Sequence, residues 1–415
     1  MSVELDKLFI YPKHWVNEDA HSFAATIRQW ADKEIISDRL NYQQNYSRLF
    51  PEKSRKLGID IGLKRLVLPD KYDGYGWNSP SYAPAILTAF TEIGRGDAAI
   101  GLVNALEYAI FATITMQPNL KYDLCDALAQ RYFSDKLKTP TAILPGAGLN
   151  NQKTPLFRGM SVLAGIADDD NESVISGTNL RPFGFGKSAD LLCVVCAQSN
   201  GKICLAFVPA DSLGVKKGLP IKQTGLDASE NTDISFESVR IPKEYVISRD
   251  GAVEELYVWL NLLLGGVSIG AAMNFFEILT DWAQNRTIKG GMPMKENPLC
   301  ASVLATVAQE ITSARLLCYS LSQIMADPFA WGGIGGEGIY TIARMIGSSV
   351  QDSAINALNR GMELMGSAGY AKEWHVEKHW RDIKTVQACL CGIAADIPVK
   401  MDIARFFYDC KEVCS

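Results

Sequence analysis

The sequence predicts an α+β protein built from several domains: a helical N-terminal domain, a middle antiparallel β sandwich or barrel, and a C-terminal four-helix bundle. Length is the first observation, because 415 residues exceed what a single hydrophobic core usually supports. The second is the spacing of apolar residues, which is helical near both ends of the chain and strand-like between them. These patterns divide the chain into residues 1–138, 139–248 and 249–415.

Helical spacing dominates the first third of the chain. Apolar residues recur three and four positions apart, as at Phe23, Ile27 and Trp30, and again at Ile86 and Phe90. This is the periodicity of amphipathic helices. Between these segments, residues 68–76 are rich in Pro, Asp and Gly and predict a loop.

Short runs of β-branched and apolar residues mark the middle third. They cover residues 173–176, 191–197, 203–208 and 234–236, and Gly, Asn, Asp and Pro separate them. Several short strands at such spacing predict a small antiparallel sandwich or barrel. Cys193 and Cys196 are three apart on one of these strands, so their side chains face opposite sides and cannot share a metal ion.

Long helical segments return beyond Gly251, around residues 254–285, 297–325, 337–363 and 395–410. The apolar stretch 256–273 contains Asn261 and several glycines, so it predicts a buried bundle helix and not a membrane span. His375 and His379 lie four apart and predict a surface pair. We therefore expect no metal site.

Composition favours a soluble enzyme. Hydrophobic residues make up 47% of the chain, charged residues 21%, and the formal net charge is -5. An acidic balance argues against nucleic-acid binding, which needs a clustered excess of Lys and Arg. The N-terminus has an early acid and no apolar run, so it does not resemble a secretory signal. We expect a cytoplasmic protein with no membrane insertion.

Several short strings, in a fixed order along the chain, resemble motifs of the acyl-CoA dehydrogenase family. GSAGYAKEW at residues 366–374, followed by Arg381 and Asp382, is similar to the family's GG-x-GY-x-x-E and R-D segment. FESVRIP at 236–242 is similar to F-x-x-V-x-(I/V)-P, and TEIGRG at 91–96 to E-x-(A/S)-x-G. Arg286 with Gly290 resembles R-x-x-F-G. Each string is short, but the ordered set covers nearly the whole chain.

The resemblance implies a homotetramer, or a mixed oligomer with a paralogue, that acts on an acyl-CoA or acyl-carrier thioester. It also implies FAD between the β domain, the bundle and a neighbouring subunit. Glycines at 366–369 would let backbone N–H groups approach the diphosphate, although Gly369 alone also fits an ordinary helix C-cap. The residues expected at the cofactor by their place in the family's motifs are Gly146, Gly148, Arg181, Phe183, Arg286, Asn297, Glu363, Gly366, Ser367 and Gly369.

The position of the family's catalytic glutamate holds no acid in this chain. Ungapped counting places Leu390 there, and matching the following glycine places Cys391 there. Some members carry the glutamate on the first bundle helix, but residues 260–265 of this chain lack any acid. Two candidates remain. One is Glu107, on the helix that lines the acyl cavity in this family, and the other is Cys391, as a thiolate if a cation or helix N-terminus lowers its pKa.

Changes around the expected flavin point toward altered binding, with FAD held weakly or not at all. Arg181 and Phe183 stand where the family has a tryptophan and a hydroxyl residue. Glu363 matches a glutamine that faces the diphosphate, so its charge would repel the cofactor. Pairing with Lys289, which replaces the phenylalanine of R-x-x-F-G, would offset that repulsion.

Three hypotheses for function remain open. The first is a divergent flavoprotein that oxidises a CH–CH bond of an acyl thioester, or performs related chemistry, with an unassigned base. The second is a non-catalytic or flavin-poor subunit that pairs with an active paralogue. The third is base-independent, non-redox chemistry on a CoA or carrier-protein thioester. The fold does not choose among them.

Overall fold

A computed structural model describes residues 13–116, 122–132, 138–146, 154–288, 290–391 and 393–408. Its first part is helical. Asn17 starts the first helix by accepting a hydrogen bond from the backbone N–H of Ala20 at 2.8 Å. The helices are α1 (Glu18–Trp30), α2 (Arg39–Gln44), α3 (Tyr46–Arg55), α4 (Ala83–Gly96), α5 (Ala98–Thr115) and α6 (Tyr122–Tyr132). Every residue of α4 and α5 is buried, so these two helices form the inner layer of the region.

Strands occupy the middle of the chain. They are β1 (Pro140–Ile143), β2 (Leu156–Phe157), β3 (Met160–Ser161), β4 (Ala164–Asp169), β5 (Glu172–Leu180), β6 (Leu191–Gln198), β7 (Ile203–Pro209), β8 (Val215–Ile221), β9 (Asn231–Pro242) and β10 (Val246–Ile247). Within the described residues, eight of them form one sheet in the order β10-β7-β6-β4-β5-β9-β8, with β1 beside β6. The remaining two, β2 and β3, form a hairpin.

Strand β6 departs from the predicted antiparallel pattern. It pairs in parallel with both β1 and β4, while its other edge pairs antiparallel with β7. Its two faces enter different cores. Cys193 packs in the large core shared with the helices, and Cys196 packs in a separate core of the β region. The prediction that these two thiols face opposite sides is confirmed.

The last part of the chain is a helical bundle. Its helices are α7 (Ala252–Asn285), α8 (Pro298–Ala326), the short α9 (Pro328–Trp331), α10 (Glu337–Met365), α11 (Val376–Cys391) and α12 (Ile393–Tyr408). Helix α7 approaches α4 closely because glycines meet at the crossing. A Cβ on Gly94 would overlap the backbone of Val267, and one on Gly270 would overlap the carbonyl oxygen of Thr91. The order of helices, strands and bundle is the predicted one.

Within the part of the chain that the structure describes, two helices are long and apolar enough to cross a membrane by length and composition. They are α5 and α7, and the structure buries 100% and 89% of their apolar windows. Helices of this kind form the interior of soluble proteins as well as membrane spans. Their burial inside the protein agrees with the predicted bundle helix.

A buried polar cluster joins the three regions of the chain. Lys378 on α11 forms ion pairs with Asp97, at 2.9 Å, and with Asp382. Asp382 also accepts a hydrogen bond from the backbone N–H of Leu226 at 2.7 Å, so one side chain ties the bundle to the β region. Because the cluster is buried, each charge depends on its partners.

His379 belongs to the same interior and not to the surface. Its Nε2 lies 3.0 Å from Oδ1 of Asn274, which also accepts a hydrogen bond from Arg39 at 2.7 Å. Burial lowers the pKa of His379 well below its ordinary value. The predicted surface pair of His375 and His379 is therefore wrong, because the face of α11 that carries His379 packs against α7. Among the described residues, no group of His, Cys, Asp and Glu could hold a metal ion.

Candidate functional site

Apolar side chains fill both positions where a catalytic glutamate is expected. Leu390, near the end of α11, is 2% exposed. On α7, Leu260, Leu263 and Leu264 are fully buried. Cys391 closes α11, and its side chain lies outside the described residues. At these described positions the interior therefore offers no group that can accept a proton.

Glu107 is held in an internal ion pair. Its carboxylate lies on α5, 2.7 Å from Nζ of Lys64, and both side chains are buried. Lys64 also donates to the carbonyl oxygen of Lys138 at 3.1 Å, so the pair ties α5 to the segment before β1. Burial raises the pKa of Glu107, and the neighbouring ammonium group opposes this rise. The contacts give Glu107 a structural role at the boundary between helices and sheet.

The glycine segment at residues 366–370 follows the end of α10. Gly366 has φ +61° and is exposed, and a Cβ there would meet no atom within 4 Å. Ser367 is also exposed in the 3-10 turn Gly366–Tyr370. Gly369 is buried, and a Cβ there would lie 2.6 Å from the carbonyl oxygen of Met362. Gly369 is thus required by packing, whereas Gly366 and Ser367 present an open surface.

Three more of the predicted cofactor residues lie on the bundle. Arg286 directly follows α7 and is exposed. Asn297 caps α8, since its Oδ1 accepts from the N–H of Leu299 at 3.0 Å. Glu363 pairs with Arg360 at 3.1 Å on the exposed face of α10. The expected partner of Glu363, Lys289, lies outside the described residues, so Arg360 is the cation that the structure places beside it.

The remaining predicted residues cluster at one end of β1. The backbone N–H of Phe183 donates to the carbonyl of Ala142 at 2.8 Å, and Gly146 follows β1 with φ +82°. Phe183 is half-buried. Arg181 is bound to Asp233 by Nε at 2.9 Å and Nη2 at 3.2 Å. Gly148 lies outside the described residues.

The structure thus sorts the predicted residues into two groups. One combines Gly146, Arg181 and Phe183 in the β region, and the other lies on the bundle, after α7, at the start of α8 and around the end of α10. In the described part of the chain, no hydrogen bond joins the two groups. A ligand that bridges them would have to span the β region and a bundle surface.

Glu255 and Arg344 are two of the buried ionisable residues that were not predicted. Glu255 on α7 is 1% exposed, pairs with Arg249 through one oxygen, and has no described partner for Oε1. Burial raises its pKa to about 7, although Arg249 opposes the shift. Arg344 on α10 is 2% exposed. Neither shows a sequence signal, because an acid near a helix start and an arginine on a helix are usually solvated.

Glu255 lies near the start of α7, at least five residues before the stretch 260–265 where some family members carry the glutamate. Trp259, one turn beyond Glu255, packs its ring 5.2 Å from Tyr108 of α5. Glu255 itself pairs with Arg249, in the segment just before α7.

The helical, β and helical regions, with a glycine turn after the third long bundle helix, define a protein of the acyl-CoA dehydrogenase fold. Residues 259–389 match the family model described as acyl-CoA dehydrogenase, C-terminal domain. The chain is 22% identical to the mitochondrial short-chain specific acyl-CoA dehydrogenase of Bos taurus over 91% of this chain and 88% of the relative. The predicted resemblance to the acyl-CoA dehydrogenase family is confirmed by this family model and by this relative.

Solved structures show the same fold. Butyryl-CoA dehydrogenase from Megasphaera elsdenii superimposes with a TM-score of 0.76 at 16% identity, over 94% of this chain and 98% of that one. The prolyl acyl carrier protein oxidase AnaB gives a TM-score of 0.75 at 16% identity, over 94% and 99% of the two chains. The predicted fold class is confirmed.

Proposed function

We propose that this chain is a divergent acyl-CoA dehydrogenase-like oxidoreductase that binds FAD and an acyl thioester. The observation that carries the proposal is the complete arrangement of helices, sheet and bundle, which matches butyryl-CoA dehydrogenase over 94% of the chain. The relatives are named for acyl-CoA substrates, as in the short-chain enzyme of Bos taurus. A cytoplasmic location and an oligomer of four subunits complete the proposal.

The described residues fit the diphosphate of FAD. Gly366 and Ser367 leave space for close approach of an anion, and Arg286 is an exposed cation on the same bundle. The pairing of Glu363 with Arg360 neutralises the charge that would repel a diphosphate. When bound, FAD supplies the acceptor for a hydride from the substrate.

At the isoalloxazine ring of FAD, Arg181 and Phe183 replace the family's tryptophan and hydroxyl residue, so the expected ring contacts are fewer. Phe183 offers a half-buried aromatic side chain for stacking. Arg181 is engaged by Asp233, so its charge is balanced within the protein. We expect the purified protein to carry less than one FAD per chain, and visible absorbance after gel filtration measures this. Full occupancy as purified would refute our reading of the ring site.

Removal of the α-proton is the step that this chain supports poorly. The proton next to a thioester needs a positioned base, and Leu390 and Leu260 supply none. Glu107 is tied to Lys64. Without such a base, proton transfer forfeits about 10²- to 10⁴-fold in rate. We expect oxidation to be slow by that factor with simple acyl-CoAs.

The apolar base positions also favour a second candidate function. In it, the chain is a non-catalytic subunit of a mixed tetramer whose paralogue provides the complete site. Native mass spectrometry of the protein isolated from its own cells distinguishes the two. A homotetramer supports the first proposal, and a constant ratio to a second subunit of similar mass supports the second.

Non-redox chemistry on a carrier-bound thioester is the third candidate. The fold shared with an oxidase named for an acyl carrier protein supports the carrier-bound substrate, and the apolar side chains at the base positions favour a reaction that needs no base. Product analysis by mass spectrometry tests it, since oxidation removes two hydrogens from the acyl group and elimination or ring closure changes its mass differently.

A further inference from the structure

Arg344 on α10 is a buried cation, and two of its guanidinium nitrogens, Nε and Nη2, form no hydrogen bond with the described residues. We call this pair of nitrogens the Arg344 fork. The third nitrogen, Nη1, lies 3.5 Å from the carbonyl oxygen of Leu390. Because the residue is only 2% exposed, water does not replace the missing partners at the surface. Unsatisfied charged donors in a protein interior cost free energy, so this fork is a feature that needs an occupant.

The same two nitrogens hold a carboxylate at other arginines of this chain. Arg28 donates from Nε and Nη2 to the two oxygens of Glu92 at 3.0 and 2.7 Å. Arg181 holds Asp233 in the same way, at 2.9 and 3.2 Å. A planar guanidinium matches the two oxygens of a carboxylate in this side-on geometry. Arg344 presents the matching pair of donors, and no carboxylate of the described residues accepts a hydrogen bond from them.

Asp402, the acid near Arg344, already accepts hydrogen bonds from two other side chains. Tyr340 donates from its hydroxyl to Oδ2 of Asp402 at 3.0 Å, and Arg405 donates to Oδ1 at 3.0 Å. The ring of Tyr257 lies 4.9 Å from the guanidinium carbon of Arg344 and stabilises its charge. Both oxygens of Asp402 therefore have other donors, and the fork is left for a group from outside.

The fork lies next to the expected reaction site. The carbonyl oxygen that it approaches belongs to Leu390, the residue at the family's glutamate position. The β2–β3 hairpin covers this region, because Phe157 stacks on Tyr257 with ring centroids 6.3 Å apart and Arg158 lies 5.1 Å from the ring of Tyr340. A ligand that reaches the end of α11 thus meets the Arg344 cation, 3.5 Å from the backbone of the residue at the family's glutamate position.

We infer that the Arg344 fork binds a carboxylate carried by the acyl group, so that the preferred ligands are thioesters of dicarboxylic acids. The inference rests on the proposed function, since it assumes that an acyl thioester reaches the end of α11. Arg344 stays protonated and forms two N–H···O bonds with the carboxylate, and no covalent bond changes.

Calorimetric titration with matched ligands tests the inference. Succinyl-, glutaryl- and adipoyl-CoA are compared with butyryl-, pentanoyl- and hexanoyl-CoA, which have the same carbon count and end in methyl groups. We expect one dicarboxylic ester to bind on the order of 10- to 100-fold tighter than its counterpart. Arg344→Gln removes this preference, and Arg344→Lys, which keeps the charge without the fork, retains part of it. Arg240→Gln, on the exposed surface of β9, is the matched control and keeps it.

Each outcome decides a separate point. Equal binding of both ester series, unchanged in Arg344→Gln, overturns the carboxylate site and leaves the proposed function standing. If no CoA ester binds the wild-type protein, the proposed function fails, and free glutarate then tests the fork. Binding of glutarate that Arg344→Gln abolishes upholds a carboxylate site for a free acid, and its absence refutes the site. Circular dichroism of each variant confirms that the fold is intact.

Discussion

Glu255→Gln should make the protein more stable at neutral and alkaline pH. Glu255 is 1% exposed, and one of its oxygens has no described partner. Burial raises the pKa of its carboxyl group from the ordinary 4.5 to about 7. The folded protein therefore keeps this proton in a range where the unfolded chain has lost it, and the ionised group destabilises the fold.

The size of the effect follows from the pKa difference. Below about pH 4.5 both states hold the proton and the residue costs nothing through ionisation. As the pH rises through about 7, stability falls by roughly 3 kcal/mol in total, because each pKa unit corresponds to about 1.4 kcal/mol. Glutamine cannot ionise, so the variant loses this dependence. The difference in unfolding free energy, variant minus wild type, should increase by roughly that amount between about pH 5 and about pH 8.

Urea unfolding followed by far-UV circular dichroism at several pH values measures the difference. Glu237→Gln, which removes an exposed carboxylate on β9, controls for the loss of one negative charge. A difference between Glu255→Gln and wild type that stays constant across this pH range would refute the reasoning, because it would mean that Glu255 ionises equally in both states.

Two further predictions concern stability. Lys378→Met should destabilise the protein by about 3 to 5 kcal/mol, since it leaves the buried carboxylates of Asp97 and Asp382 without their cation; an unchanged urea midpoint would show that the cluster is not coupled to folding. Gly270→Ala should lower the melting temperature, because its Cβ would overlap the carbonyl oxygen of Thr91 and overpacking costs about 1 to 3 kcal/mol. In calorimetry, Gly333→Ala serves as the control, as nothing lies within 4 Å of a Cβ there, and equal melting temperatures of the two variants would contradict the packing argument.

The order of the three regions could be predicted from the sequence because it depends on local periodicity. Helical spacing at Phe23, Ile27 and Trp30 and the run at 191–197 are visible without knowing their partners. The parallel pairing of β6 with β1 and β4 could not be predicted in this way. It depends on contacts between segments far apart in the chain, and a run of buried residues looks the same in either orientation.

The site was predictable only where a motif carries the information. The glycine turn at Gly366 was found from its string, and the structure shows that its backbone is exposed. Asn297 and Gly369 belong to the same set, but the structure explains them by capping and packing. His379 was misplaced because its spacing from His375 says nothing about Asn274 on the opposite helix.

Buried charges were the hardest feature to predict. Glu255 follows another acid at the start of α7, where acids commonly interact with the helix dipole. Arg344 looks like any arginine on an amphipathic helix. Their burial results from packing of α7, α10 and α11, which a single sequence does not show. Both become visible only when the partners of each nitrogen and oxygen are known.

The rate of flavin reduction shows whether this chain holds a base for the α-proton. Protein reconstituted with FAD is mixed anaerobically with saturated acyl-CoAs of increasing chain length, and loss of the visible flavin absorbance is followed by stopped flow. Because Leu390 and Leu260 provide no base, we predict bleaching on the order of 10²- to 10⁴-fold slower than in an acyl-CoA dehydrogenase that retains its glutamate, measured side by side. Bleaching as fast as in that enzyme would show that the chain holds a proton acceptor that these two positions do not supply.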